Sequence, residues 1–62
     1  MYTPQVKVND QYHDSFYGQY INVTRVDDRE VEFAVCLTGE VIIWSLDSVL
    51  AQIRDGDLVR IG

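Results

Sequence analysis

Tyr20–Val26 and Glu30–Leu37, two runs dense in β-branched and aromatic residues, flank the short polar segment Asp27-Asp28-Arg29. This constrains the fold more than any other feature of the chain. Alternation with a period of two places every second side chain on the same face of a strand. Ile21 and Val23 then share one face of the first run, opposite Asn22 and Thr24. Val31, Phe33, Val35 and Leu37 share one face of the second. With a tight acidic turn between them, the two runs predict an antiparallel hairpin in the middle of the chain.

The remaining elements are predicted outward from this hairpin. Thr38-Gly39-Glu40 supplies a second turn, and Val41-Ile42-Ile43-Trp44 is apolar on both faces, as a central or covered strand would be. The period then changes. Leu46, Val49, Leu50 and Ile53 follow helical spacing, with Ser45 in N-cap position and Gly56 to stop the helix after about two turns. Leu58–Ile61 is a terminal strand. Towards the other end, Gln5-Val6-Lys7-Val8 alternates and meets turn chemistry at Asn9-Asp10, which predicts a short first strand. Gln11–Gly18 is polar and aromatic without a clean period and is expected to be a loop or bent ribbon, while residues 1–5 are expected to form a tail. The expected order is β-loop-β-β-β-α-β.

Sixty-two residues suffice for one domain with one small core, and such a domain is marginally stable unless a partner or a second copy supports it. A homodimer is therefore a live expectation. A hydrophobic fraction of 47 % with 24 % charged residues is that of a folding chain. The lone Cys36 has no intrachain partner, and a single His leaves a four-ligand zinc site without donors. Met1-Tyr2-Thr3-Pro4-Gln5 is polar where a secretion signal would be basic and then apolar, and no apolar run is long enough to span a bilayer. A cytoplasmic protein without membrane association is expected. Ten acidic against five basic residues give a formal charge of −5, which disfavours binding to a nucleic-acid backbone unless Lys7, Arg25, Arg29, Arg54 and Arg60 converge on one face.

Five short strands joined by tight turns, with one helix before the last strand, resemble the SH3-like barrels of SH3, Tudor and KOW-type modules. A mainly β fold, a small SH3-like barrel or roll, is the implied architecture. Val8-Asn9-Asp10-Gln11-Tyr12, followed by Asp14, Gly18, Ile21-Asn22-Val23 and Val31-Glu32-Phe33, also resembles the opening of small uncharacterised phage and prophage proteins. That resemblance covers about half of the chain and implies an accessory role in a bacterial host cell, with no active site to carry over.

No residue grouping makes a convincing catalytic set. His13, Asp14 and Asp10 with Ser15 are the only acid-base cluster, and neighbours on one loop rarely hold a hydrogen-bonded triad. Cys36 lacks an adjacent base and is expected to be a packed thiol. Asp27, Asp28, Glu30 and Glu32 crowd one hairpin without the spacing of a calcium loop, so they suit a solvated turn or contact with a basic partner. Tyr12, Phe16, Tyr17 and Tyr20 place four rings within nine residues, either to seal the end of the barrel or to line an interface. Trp44 is expected to be the central core ring, packed on Leu46, Val49 and Leu50. The sequence therefore predicts a non-enzymatic protein-interaction module without cofactor or metal. Its partner-binding residues would be Tyr12, Phe16, Tyr17, Tyr20, Asp27, Asp28, Glu30 and Glu32. A nucleic-acid module of the KOW or Tudor kind, or an oligomeric structural piece, is the alternative.

Overall fold

A computed structural model describes residues 6–62. The expected tail, residues 1–5, lies outside the described residues. Five strands, β1 (Gln11–Asp14), β2 (Gln19–Val26), β3 (Glu30–Val35), β4 (Val41–Ser45) and β5 (Leu58–Arg60), form one sheet in the order β4-β3-β2-β1-β5. The helix α1 (Leu46–Asp55) lies between β4 and β5 in the chain. β1 to β4 are a meander of antiparallel neighbours, and β5 pairs antiparallel with β1. β4 and β5 thus run parallel to each other at opposite edges, and a crossover connection is what such strands require. The fold is mainly β, as expected, but the sheet is open and not a closed barrel. The chain crosses from edge to edge through α1 instead of bringing β4 and β5 together.

The core lies between α1 and one face of the sheet. Tyr12 faces Ile21, Ile21 faces Val35, Val23 faces Phe33, and Phe33 faces Ile42 across the ladder. These side chains pack with Val31, Leu58, Val6 and the helix residue Val49, and Trp44, Leu46, Leu50 and Ile53 close the margin. Ser45 caps α1 by accepting from the Ser48 N–H at 3.2 Å. At the far end Gly56 takes a left-handed φ of 85°, and the N–H groups of Gly56 and Asp57 donate to the carbonyls of Ile53 and Gln52. A Cβ at that φ would be strained, which is why glycine ends the helix there.

Several expectations are corrected. Val6–Val8 form no strand: Asn9 adopts a positive φ of 78°, Asp10 N–H donates to the Lys7 carbonyl, and the Asp10 carboxylate accepts from Lys7 N–H. This turn delivers the chain into β1, inside the segment expected to be a loop. β3 ends at Val35, because Gly39 N–H donates back to the Val35 carbonyl. Cys36 lies beyond the strand, with its N–H still donating to the Tyr20 carbonyl at 2.9 Å, and Leu37 leaves the sheet. The thiol is exposed instead of packed, and Leu37 is 94 % exposed. β4 is an edge strand, not a central one, with Val41 and Ile43 facing out. Trp44 is half-buried, its ring centroid 5.3 Å from that of Phe33, and the fully buried Phe33 holds the central position expected for it.

Candidate functional site

Tyr12 is corrected from interface to core: its ring is almost fully buried on the inner face of β1. Burial, reinforced by the nearby Asp10 carboxylate, pushes its hydroxyl above the ordinary tyrosine range, and Arg60 opposes this in part. Tyr20 is on the outer face, tilted against His13 with centroids 4.9 Å apart. Phe16 and Tyr17 stand on the β1–β2 turn, 79 % and 67 % exposed, in an edge-on pair with centroids 4.8 Å apart.

That turn is tied down. Asp14 Oδ1 accepts from Phe16 N–H at 3.0 Å and from Tyr17 N–H at 3.3 Å, and the Asp14 carbonyl accepts from Gly18 N–H at 2.8 Å. Ser15 N–H donates to the Asp57 carbonyl at 2.9 Å, which fastens the turn to the start of β5. Gly18 supplies the positive φ, 67°, that lets the chain reverse within four residues. Two exposed rings thus sit on a backbone that four hydrogen bonds fix.

Adjacent residues of a strand point to opposite faces, so β1 sends His13 outward and Asp14 inward. The acid-base cluster read from the sequence is taken apart by this alternation. Asp14 is 0 % exposed, and its Oδ2 has no hydrogen-bond partner among the described residues. It borders a groove of about 290 Å³ whose other walls are Phe16, Tyr17, Trp44, Gln52 and Asp57. A second hollow of about 260 Å³ continues past Tyr17 and Trp44 to Gln19, Glu40 and Ile42. A third, about 330 Å³, lies between Tyr20 and Leu37 and has no charged side chain in its lining.

The acidic hairpin is elsewhere. β2 separates the β1–β2 turn from the β2–β3 turn by eight residues, roughly 25 Å at about 3.3 Å per residue. Arg25 engages the cluster from its centre, with nitrogens within ion-pair distance of Asp27, Glu30 (3.1 Å) and Glu32 (3.8 Å). Hydrogen bonds to Glu30 and Asp27 hold the Arg25 guanidinium above its ordinary pKa. Asp27 Oδ1 accepts from the N–H groups of Arg29 and Glu30, both at 2.8 Å, and these bonds keep its carboxyl below the usual range. Asp27 therefore builds the turn. Asp28 is the one member of the set without an ionic partner among the described residues.

The structure thus brings Phe16 and Tyr17 together with Trp44, Asp14, Gln52 and Asp57. It does not bring them to Tyr20 or to the acidic hairpin. No grouping of three or more His, Cys, Asp or Glu side chains suited to a metal ion occurs among the described residues. No helix among them is long and apolar enough to cross a membrane. No protein-family model matches the chain, and no curated protein or solved structure matches it.

Proposed function

We propose that this chain is a non-enzymatic protein-interaction module whose contact surface is the end of the sheet built by the β1–β2 turn, Trp44 and the end of α1. The observation that carries this reading is the Phe16–Tyr17 pair, exposed to solvent on a turn fixed by Asp14 and Asp57. Aromatic side chains dominate binding hot spots, and a preordered turn loses little entropy when a partner docks. The resemblance of the first half to small phage and prophage proteins adds a setting, an accessory protein acting on a host or viral protein in a bacterial cytoplasm. The reading as a nucleic-acid module is weakened by the basic residues: Arg25, Arg54 and Arg60 each lie within 4 Å of a carboxylate and do not form one free basic face.

The test is kinetic. Tyr17 and Phe16 are exposed, so replacing either by alanine should change folding stability by only about 0.5 kcal/mol. Against a partner captured by the full chain, Tyr17→Ala should raise the dissociation rate by an amount equivalent to about 1–3 kcal/mol. Asp28→Asn should leave that rate unchanged, because its charge lies several Debye lengths from the groove at physiological salt, about 8 Å each. Unchanged kinetics for folded Tyr17→Ala and Phe16→Ala would remove the turn from the interface.

A further inference from the structure

A buried carboxylate oxygen without a partner loses the hydrogen bonds that water would have given it, so native structures keep very few. Asp14 Oδ2 is such an atom, and Asp14 borders the groove that the aromatic turn overhangs. Its other oxygen is occupied twice over by the N–H groups of Phe16 and Tyr17. One free oxygen and two engaged amides define what the site can accept. A guanidinium fork binds best through both oxygens of a carboxylate, and here only one is unpaired. An ammonium is a point charge with three donors, and one of them suffices for Oδ2. Gln52 and Asp57 stand on the same groove to accept the others.

The rest of the lining fits the same ligand. Phe16, Tyr17 and Trp44 line the groove, and aromatic rings attract a cation and also cover the apolar stem of a long side chain. At about 290 Å³ the groove is at the lower limit of small-molecule sites and suits one side chain better than a free cofactor. The formal charge of −5 favours a basic partner.

We infer that the groove between the β1–β2 turn and Trp44 receives a lysine side chain of the partner, with its ammonium on Asp14 Oδ2 and its stem against Tyr17 and Trp44. This rests on the interaction reading above and gives it a ligand chemistry. Because Oδ2 is buried, entry requires the exposed Phe16 and Tyr17 side chains to swing aside about their own bonds while the hydrogen-bonded backbone of the turn stays in place.

The experiment is a titration of the ¹⁵N-labelled full chain with three blocked tripeptides, Gly-Lys-Gly, Gly-Arg-Gly and Gly-norleucine-Gly, followed by amide and indole shifts. The lysine peptide should move the Phe16 and Tyr17 amides, the Gln52 amide and the Trp44 indole at millimolar concentration. The arginine peptide should bind several-fold more weakly, and the uncharged norleucine peptide should leave these signals in place. Asp14→Asn keeps an Oδ1 acceptor for the turn and should weaken the lysine peptide about tenfold or more, the effect of one charge-assisted hydrogen bond. Tyr17→Leu, at an exposed position where folding is not at risk, should weaken it several-fold by removing the ring face. Absent shifts, equal shifts with norleucine, or lysine binding indifferent to both substitutions would overturn the assignment. If the lysine peptide fails while Tyr17→Ala still raises the partner's dissociation rate, the ligand chemistry is wrong and the interaction surface stands. If both fail, both readings fall.

Discussion

Phe33→Ala is expected to leave a domain that scarcely folds. Its ring is wholly buried, faces Val23 on one side and Ile42 on the other, and lies tilted against the ring of Trp44. Truncating a buried phenylalanine costs about 3–5 kcal/mol, the lost transfer energy plus the cavity left behind. A chain of 62 residues has only about 3–9 kcal/mol of stability in total, at roughly 0.05–0.15 kcal/mol per residue. The substitution therefore consumes most or all of it. Urea titration followed by circular dichroism should show the midpoint collapse towards zero denaturant. A midpoint close to that of the unmodified protein would mean that the core is centred elsewhere.

Removal of residues 57–62 is expected to abolish cooperative folding altogether. Leu58 is buried, and β5 pairs Leu58, Val59 and Arg60 with Asp14, His13 and Tyr12 of β1. The same segment carries the carbonyl that holds Ser15 and the N–H of Asp57 that closes the end of α1. Without it β1 becomes an exposed edge, and Tyr12 and Asp14 lose one side of their burial. The shortened chain should show no sigmoidal thermal transition. A cooperative melt with undiminished β signal would show that β5 is dispensable to the sheet.

How much of this was legible in the sequence depended on what each inward position carried. β2, β3 and α1 were readable because their inward residues are apolar at the right period, and Ser45 and Gly56 mark the helix ends. β1 was not, because its inward positions are Tyr12 and Asp14, and a buried aspartate looks like a loop residue. Arg25 falls in the apolar phase of Ile21 and Val23. The register shift between Val23 and Arg25 inserts Thr24 as an extra residue, turns Arg25 out to its carboxylates and lets Val26 face Val31. Alternation also ran on through Leu37 past the real end of β3, since a turn formed by a backbone hydrogen bond leaves no mark in the apolar pattern. The unbroken run Val41–Trp44 imitated a covered strand while lying at the edge.

The site was half visible. The density of rings in this stretch singles out Phe16 and Tyr17. Sequence proximity groups Tyr12 with them because it does not separate the two faces of a strand. Asp57 and Trp44, 43 and 30 residues beyond Asp14, reach the groove only through the β5–β1 pairing and the packing around α1. No local pattern connects them to the aromatic turn. The sequence assigns the acidic hairpin and the aromatic turn to one set of partner-binding residues, whereas the length of β2 holds them at opposite ends of the strand.

The most direct measurement of the central claim places a photoreactive phenylalanine analogue at Tyr17, at Asp28 or at Ile43, one position per sample, and irradiates each in bacterial lysate. Position 17 should give a discrete adduct with one other protein, and neither position 28 nor the edge-strand position 43 should capture it. The account is contradicted if position 17 gives no adduct while position 43 couples the chain to a second copy of itself, which would make β4 the functional surface.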